Sequence, residues 1–306
     1  MKLLITGATG LVGKELVKRA LNQGMEIHFL TTQQSKLNSI VGAKGFYWNP
    51  SLQEIDSNCF DGVTTIVHLA GATISKRWTA SYKKTILSSR IDSTQLLFTG
   101  IKNLSQGHGI TQLVSASAIG VYPSDFDQTV EENMPLSPSS FMEQVVTEWE
   151  QQSDNFSTIG MKVTKLRIGL VLAAEGGVVA TLKIPTMFGL GAAFGNGKQG
   201  QSWIHISDLV SLFLFAIEKQ WEGVFNAVSP SPVSQSRFIS ALAKSLNRPH
   251  IFPPLPKFLI QLLVGEMSSL VLDSHWVSSK KLDANGFSFE FPNINDALEN
   301  IFHKKK

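Results

Sequence analysis

The sequence predicts an α/β protein: a Rossmann-type, doubly wound parallel sheet with a smaller, mostly helical C-terminal substrate domain. Three observations carry that expectation. The apolar run KLLIT (2–6) ends at Gly7, and Gly7, Gly10 and Gly13 then lead into an amphipathic stretch. Strand-like and helix-like segments alternate as far as residue 172. The strand-like segments are apolar throughout, as in a parallel sheet covered on both faces.

Taken in order, residues 2–6 read as a buried strand. Residues 12–23 read as a helix with Val12, Leu16, Val17, Ala20 and Leu21 on one face, closed by Gly24. EIHFLT (26–31) is the next strand, 34–41 fits a short helix, and GFYW (45–48) a third strand. VTTIVHL (63–69) is a strand that ends at Ala70-Gly71-Ala72, and a long helix spans about 80–102. TQLVSA (111–116) is a strand, 140–152 a helix and KVTKLRI (162–168) a strand. The stretch 174–202 reads as Gly-rich and irregular. A strand and helix return at 203–219, and GVFNAVS (223–229) is a further strand. The tail from 234 reads as helical, ending in a β-like FSFEF (287–291). The expected Rossmann domain is therefore 1–172 plus 203–229. Residues 173–202 and 230–306 form the expected smaller domain.

The 306 residues are 43% hydrophobic, enough for a large core. The net charge of +3 lacks the clustered basic stripe of a nucleic-acid binder. The dense run Lys304-Lys305-Lys306 reads as a solvated tail. One cysteine, Cys59, excludes an internal disulfide and fits a reducing compartment. No secretory leader is visible. FLIQLLVGEMSSLVL (258–272) is too short and too interrupted by Gly265, Glu266, Ser268 and Ser269 to span a bilayer. The expectation is a soluble cytoplasmic protein with no nucleic-acid or membrane partner.

The glycine loop carries the first functional signal. Gly7 permits a sharp turn, Gly10 a close approach of backbone to a pyrophosphate, and Gly13 tight packing of helix on sheet. Thr9, Gly10, Leu11, Val12 and Gly13 then present the helix N-terminus, with its free N–H groups and partial positive charge. The bland alternative is a tight turn with no ligand. An acid at the end of the second strand would hold the ribose hydroxyls of NAD, but no acid occurs between Glu26 and Glu54. Leu30-Thr31-Thr32-Gln33-Gln34-Ser35-Lys36 offers hydroxyls, amides and one lysine instead. NADP(H) is favoured over NAD(H), with no arginine there to strengthen the preference.

TGATGLVG (6–13), LAGA (69–72), SASAIGVY (115–122), RIGLVLA (167–173) and WIHISDLV (203–210) occur in the order of an extended short-chain dehydrogenase/reductase. More narrowly, the chain resembles the atypical "epimerase family" that includes the human short-chain dehydrogenase family 39U member and its bacterial relatives. WNP (48–50), KRWT (76–79), SSRIDSTQLL (88–97), FMEQVVTEWE (141–150), GLGAAFGNGKQGQSWIHI (189–206) and FNAVSPSPVSQSRFISALAKSLNRP (225–249) carry that narrower likeness. The resemblance implies a Rossmann domain plus a small substrate domain, with NADP(H) bound. By position, Leu69, Ala70 and Gly71 would line the cofactor, Thr31 and Thr32 would flank its 2′-phosphate end, and Arg90 would lie near it. Relatives often carry arginine at the position of Thr32.

The wider superfamily uses a Tyr-x-x-x-Lys pair for acid/base work. Here Tyr47, Tyr82 and Tyr122 are followed four residues on by Ser51, Ile86 and Phe126, so the pair is absent. Phe141 and Val145 stand at the matching place. By the resemblance, Ser115 or Ser117 would hydrogen-bond the reacting oxygen; otherwise they only tie off a strand end. Tyr122 and His205 are further candidates, each with a structural alternative, and His68 reads as a satisfied core residue. Trp203 shapes a substrate pocket or fills core. The seven histidines are scattered, no metal site is expected, and the nucleophile-elbow, P-loop and zincin motifs are missing. Two readings stay open: an oxidoreductase or epimerase-like enzyme acting on an unknown small molecule, and a cofactor-binding sensor without turnover. A homodimer is compatible with both.

Overall fold

The computed structural model describes residues 1–104 and 108–303; the Lys304–Lys306 tail lies outside the described residues. Along the chain come β1 (Lys2–Thr6), α1 (Leu11–Asn22), β2 (Glu26–Thr31), β3 (Ala43–Asn49), β4 (Glu54–Ile55), β5 (Thr65–His68), α2 (Ala80–Lys102) and β6 (Gln112–Ala118). Then come β7 (Thr129–Val130), α3 (Phe141–Asp154), β8 (Lys162–Ile168), β9 (Leu170–Ala173), α4 (Gly177–Met187), β10 (Gly200–Gln201), β11 (Trp203–His205), α5 (Ile206–Glu218) and β12 (Gly223–Ala227). The remainder is β13 (Val233–Ser234), α6 (Gln235–Ser245), α7 (Lys257–Val264), α8 (Ser269–Leu272), β14 (Trp276–Val277), α9 (Lys280–Ala284) and α10 (Ile294–His303).

Two compact units emerge. The first comprises Met1–Ser117, Gln144–Leu166 and Val210–Val224; the second comprises Ala118–Glu143, Arg167–Leu209 and the chain from Phe225 onward. Unit 1 carries most of an eight-stranded sheet ordered β12-β8-β6-β5-β1-β2-β3-β4. β1 pairs in parallel with both β2 and β5, and β5 with β6, while the short β4 runs antiparallel to β3. The chain steps from β1 outward through β2 and β3, then restarts at β5 on the other side. The switch point thus falls between β1 and β5, where doubly wound sheets bind ligands at the strands' carboxyl ends. Leu4, Leu30, Phe46, Phe60, Ile66 and Leu113 pack in one core on this sheet.

Unit 2 is built from short pairs: β9 with β11 in parallel, β14 with β7 in parallel, and β10 with β13 antiparallel. Its core gathers Trp203, Phe238, Leu242, Ile294 and Leu298. Trp203 is core, and its indole N–H donates to the Ser231 carbonyl at 3.0 Å.

Three expectations need correction. The stretch 174–202 contains the helix α4, because Val179 and Leu182 pack into the unit 2 core and outweigh its β-branched composition. FSFEF (287–291) is not a strand. The N–H groups of Glu290 and Phe291 donate instead to the Asp208 carboxylate, at 2.8 and 3.0 Å. Within 34–41 only Gln34–Lys36 forms a single 3₁₀ turn, since so short a segment cannot carry the cost of helix nucleation.

Candidate functional site

The loop after β1 has the geometry that its glycines allow. Gly7 adopts φ +67°, and a β-carbon there would sit 2.9 Å from the Leu69 carbonyl carbon. A β-carbon at Gly13 would meet the Gly7 carbonyl oxygen at 2.2 Å, so only glycine lets α1 approach the turn. Gly10 has φ −78° and no side chain caps α1; no acid stands in its first turn. Leu11 and Val12 begin a helix whose N-terminal charge faces no carboxylate of its own.

The neighbouring turn hangs from one hydroxyl. Thr6 Oγ1 accepts the Leu69 and Ala70 N–H groups, both at 3.0 Å, and lies 2.8 Å from His68 Nδ1. With both its lone pairs taken by these amides, the Thr6 hydroxyl donates its one proton to His68 Nδ1. His68 therefore carries its proton on Nε2 and donates to Thr94 Oγ1 at 3.0 Å, and Thr94 donates onward to the Arg90 carbonyl at 2.7 Å. Burial, and secondarily the Arg90 charge, push the His68 pKa down to about 3, so it stays neutral. Arg90 supports the same turn from below: its Nη1 donates to the Ile86 and Ala72 carbonyls at 2.9 and 3.3 Å, with the guanidinium 5.2 Å over the Trp149 ring.

Gly7, Thr9, Thr31, Thr32, Ala70 and Gly71 come together around a cavity of about 560 Å³ at the switch point. Gly10, Leu11, Val12, Gly13, Leu69 and Arg90 do not line that cavity; they shape the turns that do. Thr31 is buried, its hydroxyl turned to the Gln33 N–H, whereas Thr32 and Gln33 are exposed. Lys36 reaches the wall, and no carboxylate follows β2.

One set of wall residues escaped sequence reasoning. Thr85, Ser88, Ser89, Asp92 and Ser93 line the cavity from α2. Their spacing of three and four was legible as a polar stripe on one helix face. Asp92, the single carboxylate among the described wall residues, has its pKa raised by desolvation.

The candidate proton-handling residues lie elsewhere in their units. Within unit 1, Ser115 is fully buried, donates to the Ala116 carbonyl at 3.0 Å and takes a bond from Ser153. Ser117 donates to the buried Glu150 carboxylate at 2.5 Å. Lys165 lies 3.9 Å from Glu150 and 2.6 Å from Asp154. Within unit 2, buried Tyr122 donates to Asn226 Oδ1 at 2.7 Å and accepts from Arg167 Nη1 at 2.9 Å. Burial raises its pKa against the lowering effect of Arg167. His205 accepts from the Ser207 N–H at 3.1 Å through Nδ1 and packs against the Phe291 ring, 4.1 Å between centroids with the planes tilted by 44°. Val145, at the place of the missing lysine, is fully buried. Among the described residues no cluster of His, Cys, Asp or Glu could hold a metal ion.

The donor set at the switch point fits a dinucleotide: glycines that admit backbone to a pyrophosphate, an uncapped helix N-terminus, and hydroxyls, an amide and a lysine beyond β2. The NAD dependent epimerase/dehydratase family matches residues 3–228, and a domain of unknown function (DUF1731) matches 255–301. Epimerase family protein SSP1921 of Staphylococcus saprophyticus is 38% identical over 305 residues, covering 98% of this chain and 99% of its own. Epimerase family protein SH2119 of Staphylococcus haemolyticus is 38% identical over 304 residues, covering 97% and 98%. Among solved structures, human epimerase family protein SDR39U1 (isoform2) with NADPH superposes with a TM-score of 0.85 at 25% identity, covering all of both chains. UDP-glucose 4-epimerase of Thermus thermophilus complexed with NAD gives 0.78 at 18% identity over 99% of this chain and 98% of its own, a likeness of fold alone. With its Rossmann-type sheet and its glycine loop at the switch point, the chain belongs to the NAD-dependent epimerase/dehydratase family.

Proposed function

We propose that the chain binds NADP(H) at the switch-point cavity and works as an oxidoreductase or epimerase-like enzyme on a small molecule, without a Tyr-x-x-x-Lys pair. One observation carries the reading: the cavity joins the glycine loop to a β2 exit with hydroxyls, an amide and a lysine but no acid. The similarity to a human protein solved with NADPH supports the same choice. When bound, the nicotinamide supplies a hydride donor or acceptor.

Each residue then has a role. Gly7 and Thr9 line the cavity where the pyrophosphate would sit, Gly10 and Gly13 let the turn and α1 come close behind them, and the N-terminus of α1 lends the phosphates its positive end. Ala70 and Gly71 form the opposite wall, held by Thr6. Thr32, Gln33 and Lys36 receive the 2′-phosphate. The polar stripe on α2 closes the cavity. In this reading the chain's contribution to the chemistry is chiefly orientation, and proton exchange runs through solvent or the substrate itself.

A second reading has its own support. Ser115, Ser117, Tyr122 and His205 are all buried and hydrogen-bonded, which favours a cofactor-binding sensor without turnover. Calorimetric titration with NADPH, NADP, NADH and NAD, alongside Gly10→Asp, tests the shared premise. The variant brings a side chain and a negative charge to the pyrophosphate at a backbone conformation any residue adopts, with the new β-carbon 3.2 Å from the Gly7 carbonyl oxygen; a melting curve checks that it folds, and the folded variant should lose at least roughly a hundredfold in affinity. If no dinucleotide binds the parent protein, both readings fall. If NADPH binds, its oxidation across a panel of carbonyl substrates separates enzyme from sensor.

A further inference from the structure

Unit 2 exposes a cluster of large apolar side chains that its core does not use. α7 (KFLIQLLV) buries only Ile260 and leaves Phe258, Leu259, Leu262 and Leu263 in solvent. Leu262 is 79% exposed, Ile251 80% and Phe188 78%, and large apolar side chains exposed together mark an interaction site. Backbone pairing brings the parent segments together. The Gly195 N–H donates to the Leu255 carbonyl at 2.8 Å, and the Leu255 N–H to the Ala193 carbonyl at 2.7 Å. Residues 193–195, which follow Met187, Phe188 and Leu190, are thus paired with Leu255, which lies between Ile251-Phe252 and α7.

Charge in these segments is of one sign. Residues 176–207 and 225–265 contain no Asp or Glu. Their charged side chains are Lys183, Lys198, Arg237, Lys244, Arg248 and Lys257; the next carboxylate in the chain is Glu266, just past α7, and the half-buried Asp273 faces Lys257. A second copy of this face would set cation against cation around the apolar centre. An anionic, apolar partner meets both properties at once.

We propose that this face of unit 2 rests on an anionic lipid bilayer. Phe258, Leu262, Leu263, Ile251 and Phe188 enter the boundary between headgroups and acyl chains, and Arg248 and Lys257, which lie close to Ile251 and Phe258 in the chain, meet lipid phosphates and carboxylates. No helix among the described residues is long and apolar enough to cross a membrane, so the contact is peripheral. A site of this kind would deliver the protein to poorly water-soluble substrates. It stands apart from the cofactor assignment and survives its failure.

The test is flotation of the full chain with vesicles of phosphatidylcholine alone and of phosphatidylcholine with phosphatidylserine in equal parts, at low and high salt. The expected result is recovery with the anionic vesicles only, falling steeply with salt because exposed charges are screened. Leu262→Ser with Leu263→Ser should abolish recovery, and Arg248→Glu with Lys257→Glu should weaken it by roughly tenfold or more. These side chains are exposed, so circular dichroism and the melting temperature should stay at parental values; Leu52→Ser, an exposed leucine of unit 1, should float like the parent. Absence of the parent from anionic vesicles overturns the proposal. So does undiminished flotation of the leucine pair variant. A concentration-dependent dimer in light scattering that the leucine pair variant disperses also overturns it, and assigns the face to a second copy.

Discussion

The glycine loop of unit 1 and the surroundings of Tyr122 in unit 2 treat polar groups in opposite ways. Around the loop, the N-terminal N–H groups of α1 have no capping side chain, Thr32 and Gln33 face solvent, and a cavity of about 560 Å³ adjoins them. Around Tyr122, donors and acceptors are matched to one another. Its hydroxyl lies between Arg167 and Asn226, the Asn226 N–H donates to Glu132 at 2.8 Å, and the Asn226 amide donates to the Ser278 carbonyl at 3.1 Å. A region that has spent its hydrogen bonds internally gains stability and loses capacity for a ligand. A region that has left them open is ready to bind and depends on glycine to stay folded.

Four substitutions or conditions would break or sharpen that contrast. Gly13→Val strikes hardest, because the new β-carbon meets backbone that cannot yield. It should cost more than about 4 kcal/mol or prevent folding, as judged by chemical denaturation. Acidification comes next. The His68 pKa is lowered in the folded protein, so the unfolded chain binds the proton first. The contribution of neutral His68 is complete above its ordinary 6.5 and is lost as pH falls from there toward about 3. Stability should decline over that window by up to ~1.4 kcal/mol per pH unit, and His68→Gln should flatten the slope.

Tyr122→Phe should cost about 1–3 kcal/mol, since Asn226 and Arg167 lose a buried partner, while the dissociation constant for NADPH stays unchanged. A large loss of NADPH affinity in that variant would erase the distinction between the two regions. Lys36→Glu is the mildest. It should leave the melting temperature alone and lower the preference for NADPH over NADH by roughly tenfold, measured by calorimetry.

Much of unit 1 was legible because its signals are local. The glycine loop, the bounds of α2 at 80–102 and of β8 at 162–168 follow from periodicity and punctuation within a few residues. The polar stripe on α2 was equally local, yet its residue types read as ordinary helix surface until the cavity gave them a function. Unit 2 resists such reading because its contacts are remote. β7 at 129–130 pairs with β14 at 276–277, and Tyr122 meets Asn226 across 104 positions. FSFEF has a strand's composition, but Asp208, more than 80 residues earlier, supplies the acceptors that a neighbouring strand would have offered.

The Thr6 hydroxyl has one more consequence. By holding the Leu69 and Ala70 amides while Gly7 follows it in the chain, it ties the turn after β5 to the turn after β1 through a single atom. A change at Thr6 would therefore be felt in both turns at once, as a loosened hinge pin is felt in both leaves of a door.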